Sequence, residues 1–201
     1  MKPPQLAIFH TTSIPKEVFA EFMQIVAAEK LDLQVESREE DGPFAAIEWL
    51  IPTAVIVYIS KSYFDGFLKE MGKDHYALLK AGLKTLHGKL VGPQVPKVTV
   101  ISTEGKVGGD QIYSLRYSIL AEAGEGLRFK LLIQTHVSSD EYDEVLASFL
   151  AFLDAYHSGT LDSRSVERVK HARVVGRTML LAFNSDSKAI EPVDPIPTRQ
   201  R

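Results

Sequence analysis

A polar stretch near the start of the chain holds the first residues whose types could take part in chemistry. It follows residues 6–9, an apolar run typical of a buried strand. The carboxyl end of a strand in a parallel sheet is where ligands collect, and the N–H groups of a following helix can hold an anion. We therefore predict a ligand-binding site at His10, Thr11 and Thr12, although the glycines of a phosphate loop are absent. The alternative is that Ser13 simply caps the helix.

A second group of ionisable residues, Lys73 to Tyr76, lies in a predicted helix. An aspartate that orients a histidine is a common arrangement for general base catalysis. Adjacent helical residues, however, do not face each other, so the pattern favours a solvent-exposed helix face. We nevertheless include His75 among the ligand-binding candidates, as a residue that could assist the end of the first strand.

Motifs for catalysis or metal binding are missing from the sequence. The chain has no cysteine, no H-x-x-x-H or H-E-x-x-H spacing and no G-x-S-x-G elbow. The glycines at 105–109 precede a predicted strand and favour a hairpin turn over a phosphate loop. We predict no catalytic residue, no metal and no cofactor, and we favour a protein that is not an enzyme while a small enzyme stays open as an alternative.

Residues 44–59 form the most apolar stretch of the chain, interrupted only by Glu48 and Pro52. A membrane-spanning helix needs about 20 apolar residues, so this run is short for that role. Three interpretations stay open: a buried core element, which we favour, an exposed patch for a protein partner, and a membrane-associated segment. On the second interpretation, residues 44–68 contact a partner or a second copy of the chain. The side chains that we expect to do so are Trp49, Val55, Val57, Tyr58 and Phe64.

The hydrophobic periodicity predicts an α+β fold. A β-α-β opening spans residues 6–36, and a central apolar and helical segment follows, with a long helix over 62–89 that could break near Gly72. Strands at 98–101, 112–121 and 127–137, joined by short turns, predict an antiparallel β-meander closed by a long C-terminal helix. Ser138 and Glu141 form a capping box at the start of that helix. We expect a mixed sheet whose helices cover one face.

Length and composition suit a single domain. The chain has 201 residues, of which 45% are hydrophobic and 24% charged. We predict a domain over residues 1–184, with a subdivision into 1–92 and 93–184 as the alternative, a final strand at 174–183, and a disordered tail over 185–201.

The charge of the chain and the distribution of its basic residues narrow the classes of function that we consider. The net charge of −3 disfavours nucleic acid as a partner. Basic residues cluster late in the chain, at Arg164, Arg168, Lys170, His171, Arg173 and Arg177. Asp162 and Glu167 lie among them and reduce the local positive charge, which favours a solvated surface. No secretory leader is apparent, so we expect a cytoplasmic protein.

The first functional hypothesis is a non-enzymatic interaction or self-associating module, either a homo-oligomer or a protein bound to a partner. The alternatives are a small-molecule-binding domain or small enzyme at the first strand, and a membrane-associated protein.

Overall fold

The computed structural model describes residues 3–39, 53–69, 73–91 and 112–195, which combine helices with one mixed sheet. The elements, in chain order, are β1 (Leu6–Thr11), a 3-10 helix (Lys16–Phe19), α1 (Ala20–Val26), β2 (Leu33–Arg38), β3 (Val55–Ile59), a π-helix (Tyr63–Leu68), α2 (Lys73–Val91), β4 (Tyr117–Gly124), β5 (Leu127–Leu131), α3 (Ser139–Ser158), α4 (Ser163–His171), β6 (Val174–Val175), β7 (Thr178–Asn184) and β8 (Ala189–Pro192). The mixed α/β class expected from the sequence is therefore confirmed.

The strands run in the order β2-β1-β3-β4-β5-β7-β6, and β8 also pairs with β7. The pairs β1/β2, β3/β4 and β5/β7 are parallel, and the other pairs are antiparallel. The carboxyl ends of β1, β2, β5 and β7 consequently meet at one end of the sheet, which we call the upper end. Those of β3 and β4 meet at the opposite, lower end.

The core lies between the sheet and a layer of helices. Alternate strand residues, such as Ile8 and Val57, are fully buried against it. Within this layer α1 packs on α2 and α2 packs on α3. Gly82 permits the close approach of α1 and α2, since a Cβ at this position would lie 2.5 Å from Val26 Cγ2.

The predicted β-meander is not formed by the described residues. β4 and β5 do form an antiparallel hairpin, with positive φ angles at Glu125 and Gly126 in its turn. However, β4 runs parallel to β3 on its other side. Two helices separate β5 from β7, so the chain can return and run parallel to β5, as helical crossovers allow. The predicted strand at 98–101 lies outside the described residues.

The long helix that was expected to close the fold is followed by further strands. α3 begins with the predicted Ser138–Glu141 capping box and ends at Gly159, whose φ is 72°. After α4, the strands β6, β7 and β8 add to the sheet, where the sequence predicts one strand and then a disordered tail from residue 185. Gly176 and Arg177, with φ angles of 57° and 60°, form a two-residue turn between β6 and β7. An arginine rarely adopts a positive φ angle, so the sequence gives no turn signal for this hairpin.

Candidate functional site

The predicted residues at the end of β1 do not converge on one site. His10 is 1% exposed, its ring packs 4.7 Å from that of Phe19, and its Nδ1–H donates to the Thr11 carbonyl oxygen. Its Nε2 is buried without a hydrogen-bond partner in the described structure. Consecutive strand residues point to opposite faces, so His10 lies under the helices while Thr11 lies on the other face. Thr12 is exposed.

The hydroxyl groups beside His10 bond to each other. The Thr11 and Ser13 hydroxyl oxygens are 2.9 Å apart. The following 3-10 helix has Pro15 at its N-cap and no side-chain cap. The capping role considered for Ser13 is therefore not observed.

His75 lies at the other end of α1 from His10. Its Nε2–H donates to the Val26 carbonyl oxygen at 2.8 Å, and the Tyr63 hydroxyl donates to its Nδ1 at 3.0 Å. Val26 ends α1, whereas the ring that touches His10 belongs to Phe19, just before α1 starts. Seven helical residues span about 10 Å, so His75 does not assist the end of the first strand. It instead joins α1, the π-helix and α2.

The apolar residues proposed for an interface are largely core residues. Val55 and Val57 are fully buried, and β3 is paired on both edges. Phe64 is 5% exposed and stacks on His157. Tyr58 is half-buried on the opposite sheet face, and Trp49 lies outside the described residues. The structure thus supports the core interpretation for the described part of this segment, because side chains packed in the core cannot contact a partner.

A cleft opens at the lower end of the sheet, where β3 and β4 end together. Its volume is about 530 Å³, and much of it is open to solvent. The carboxyl ends of parallel strands are a common location for small-molecule sites. The cleft is lined by Pro3, Gln5, Lys30, Lys61, Ser62, Asp65, Gly66, Phe67 and Glu122.

Glu122 is the most constrained charged group of this cleft. Ala121 and Ala123 on either side are buried in the core, so Glu122 points to the opposite face of the sheet. Its Oε2 accepts the backbone N–H of Lys61 at 2.9 Å and the Tyr58 hydroxyl at 3.4 Å. These two donors fix the carboxylate, and no hydrogen bond in the described structure involves its Oε1.

Two lysines and one more carboxylate complete the charged lining. The Lys61 ammonium forms an i,i+4 ion pair with Asp65. Lys30 is exposed, with φ of 69°, and has no ion-pair partner in the described part of the chain. At neutral pH the two lysines balance Asp65 and Glu122, so the lining offers both signs of charge without a net charge.

The pKa values of neighbouring groups follow from burial and from these charges. Burial, and then the charge of Glu122, raise the pKa of Tyr58 to about 12, so its hydroxyl stays protonated and keeps donating. Burial, followed by the Lys61 ammonium, lowers the pKa of His157, while a backbone hydrogen bond to Glu122 opposes the shift. The imidazole next to this cluster is therefore neutral at pH 7.

The residues that line this cleft are far apart in the chain, so no local sequence pattern predicts it. Lys61 and Glu122 are separated by 61 positions and meet through the parallel pairing of β3 with β4. The available signal is Lys61, which follows the apolar run of β3 after one serine. The sequence-based prediction places a site only at the end of the first strand.

Other site types find no support among the described residues. They contain no group of three or more histidines, cysteines or carboxylates arranged to hold a metal ion. No helix in the described ranges is long and apolar enough to cross a bilayer. No protein-family model matches the chain, and no curated protein or solved structure shows significant similarity to it. The geometry of the cleft is therefore the basis of the functional argument.

Proposed function

We propose that the chain is a non-enzymatic binding domain for a small zwitterion, a molecule that carries an amine and an anionic group. The ligand lies in the cleft at the lower end of the sheet. The observation that carries this proposal is a carboxylate fixed by two donors, Glu122, in the same cleft as Lys30, an ammonium for which the described residues offer no ion-pair partner.

Glu122 binds the amine of the ligand. A carboxylate already held by Lys61 and Tyr58 loses little conformational freedom when a ligand arrives, so more of the interaction energy appears as affinity. Asp65 offers a second acceptor, partly neutralised by Lys61. Lys30 pairs with the anionic group, and Pro3, an exposed residue of the lining, contacts the carbon skeleton.

Two groups at the cleft favour binding without turnover: Tyr58, which donates to Glu122 from beside the cleft, and Lys61 of the lining. Tyr58, with a pKa of about 12, is not a nucleophile at neutral pH. The Lys61 nitrogen is engaged in the ion pair with Asp65, so it is not poised for nucleophilic attack.

A panel of free amino acids and dipeptides tests the proposal. We expect some members to raise the melting temperature of the chain and to give saturation-transfer NMR signals. A ligand at 100 times its dissociation constant adds about 2.7 kcal/mol of stability. Glu122→Gln should weaken binding by about 10-fold to 100-fold, because a charge-assisted hydrogen bond is lost. Glu125→Gln, the same charge change at an exposed turn residue, is the matched control.

A second variant separates the two ends of the ligand. Lys30→Gln should weaken binding of an amino acid but leave the corresponding amino acid amide unaffected. If no member of the panel binds, or if Glu122→Gln binds as well as Glu125→Gln, the proposal is wrong.

A further inference from the structure

β2 is the outermost strand of the described sheet and pairs with β1 alone. The N–H of Leu6 donates to the Asp32 carbonyl oxygen, and the N–H of Thr12 donates to that of Arg38, both at 3.1 Å. In a parallel pair, every second residue of a strand bonds to the same neighbouring strand. The even-numbered residues of β2 therefore direct their backbone N–H and C=O groups towards β1. The odd-numbered residues, Leu33, Val35 and Ser37, direct their N–H and C=O groups away from the sheet.

We propose that this edge is an interface between two copies of the chain. The two β2 strands pair in antiparallel register, with Val35 opposite Val35 of the second copy and Leu33 opposite Ser37. Each of these facing pairs exchanges two N–H···O bonds. Leu33 and Val35 are half-buried and lie at the margin of the core, so the pairing also removes apolar surface from water.

The charges of β2 select this register over its neighbours. It places Gln34 opposite Glu36, and Asp32 opposite Arg38, whose guanidinium already donates to the Thr53 carbonyl oxygen, so no two like charges face each other. Centring the pair on Gln34 would place Asp32 opposite Glu36, and centring it on Glu36 would place that carboxylate opposite its own copy. Like charges directly opposite each other destabilise a strand pair, so both shifts are disfavoured.

A second copy is also the occupant that best explains an edge of this kind. An open edge with apolar residues on one face pairs readily with other strands, and a self-complementary sequence directs it to a closed two-fold pair. A single strand edge buries less surface than a permanent interface, so the dimer should dissociate on dilution. The proposal of this interface does not depend on whether the cleft binds a ligand.

Light scattering coupled to size exclusion, applied to the full chain over a wide concentration range, tests the interface. We expect the mass to rise from 22.4 kDa towards twice that value as the concentration increases. Val35→Pro removes an outward N–H without touching the ladder to β1, and it should give a monomer at every concentration. Circular dichroism establishes whether this variant is folded.

Two substitutions of the half-exposed Gln34 test the register even if the proline variant fails to fold. Gln34→Lys places an ammonium opposite Glu36 and should tighten the dimer about threefold or more, whereas Gln34→Glu should weaken it by a similar factor. In either shifted register Gln34→Lys would meet another cation and weaken the dimer. A wild-type chain that stays monomeric, or a dimer that ignores both Gln34 variants, overturns the proposal.

Discussion

At the scale of single residues, buried histidines connect elements through hydrogen bonds and ring contacts that no local sequence pattern predicts. His75 sits in a stretch of ionisable residues that favours an exposed helix face, yet it is 2% exposed. Both of its ring nitrogens are satisfied, by Val26 and by Tyr63. Its partners come from other elements, so no local pattern identifies it as buried.

Replacing His75 by alanine should destabilise the fold by about 2 to 4 kcal/mol, because two buried polar groups lose their partner. Tyr63→Phe, which removes one of these hydrogen bonds, should cost about 1 kcal/mol. Urea unfolding followed by circular dichroism measures both values. If His75→Ala costs no more than Tyr63→Phe, the bridging role assigned to His75 is incorrect.

His87 makes stability depend on pH. Its ring stacks on Tyr142 at 3.7 Å with an interplanar angle of 6°, and burial lowers its pKa from 6.5 to about 4. The unfolded chain binds the proton more readily, so its contribution is fully present above pH 6.5 and is lost as the pH falls towards 4. We expect a loss of about 3 kcal/mol over this window.

The variant His87→Phe keeps a stacked ring and should remove this part of the pH dependence. His136→Gln, a change at an exposed histidine, is the control and should retain it. Chemical denaturation at pH 7, 5.5 and 4 provides the comparison. Identical pH profiles for His87→Phe and the wild-type chain would show that His87 titrates normally in the folded state.

At the scale of elements, strong periodicity and capping signals locate helices well but do not locate every strand. The start and end of α3 follow from Ser138, Glu141 and Gly159, each of which has a local physical role. The hairpin between β6 and β7 is hidden because its turn uses Arg177 at positive φ. This exposed turn is instead held by a contact distant in sequence, since the Arg128 N–H donates to the Arg177 carbonyl oxygen at 2.9 Å.

The packing of α1 on α2 depends on one missing side chain. Gly82→Ala raises helix propensity by about 1 kcal/mol, but its methyl group would overlap Val26 and Phe22. We expect a net destabilisation of about 1 to 3 kcal/mol from overpacking.

Gly88 on the same helix has open space where a Cβ would be. Gly88→Ala should therefore stabilise the chain by about 0.5 to 1 kcal/mol. Thermal unfolding of both variants gives the comparison. Equal stabilisation by the two substitutions would mean that α1 and α2 are less closely packed than the structure indicates.

At the scale of the whole molecule, the sequence predicts the mixed α/β class but not the direction of every strand. Apolar patterns determine which face a residue occupies, whereas the parallel pairing of β3 with β4 depends on long-range contacts. That pairing brings Glu122 to Lys61 and creates the cleft. The apolar run around Val55 illustrates the same limit, because a core strand and a binding patch have similar compositions.

The cleft and the outer edge of β2, which is unpaired in the described sheet, are neighbours in the folded chain. Gln5, which lines the cleft, accepts the N–H of Asp32 at 3.0 Å, directly before β2. Lys30 of the cleft also lies in the segment that leads into β2. The two proposed surfaces therefore share one border of the molecule.

The most direct measurement of the central claim follows the backbone amide of Lys61 by NMR while the amino acid and dipeptide panel is titrated. This N–H donates to Glu122, so its resonance reports on the carboxylate that we assign to the amine of the ligand. The account predicts saturable shifts at Lys61 and at other cleft residues, with a midpoint that rises about 10-fold to 100-fold in Glu122→Gln and stays unchanged in Glu125→Gln. Shifts centred on Thr11 and Thr12 at the upper end, or no saturable shift with any panel member, would contradict it.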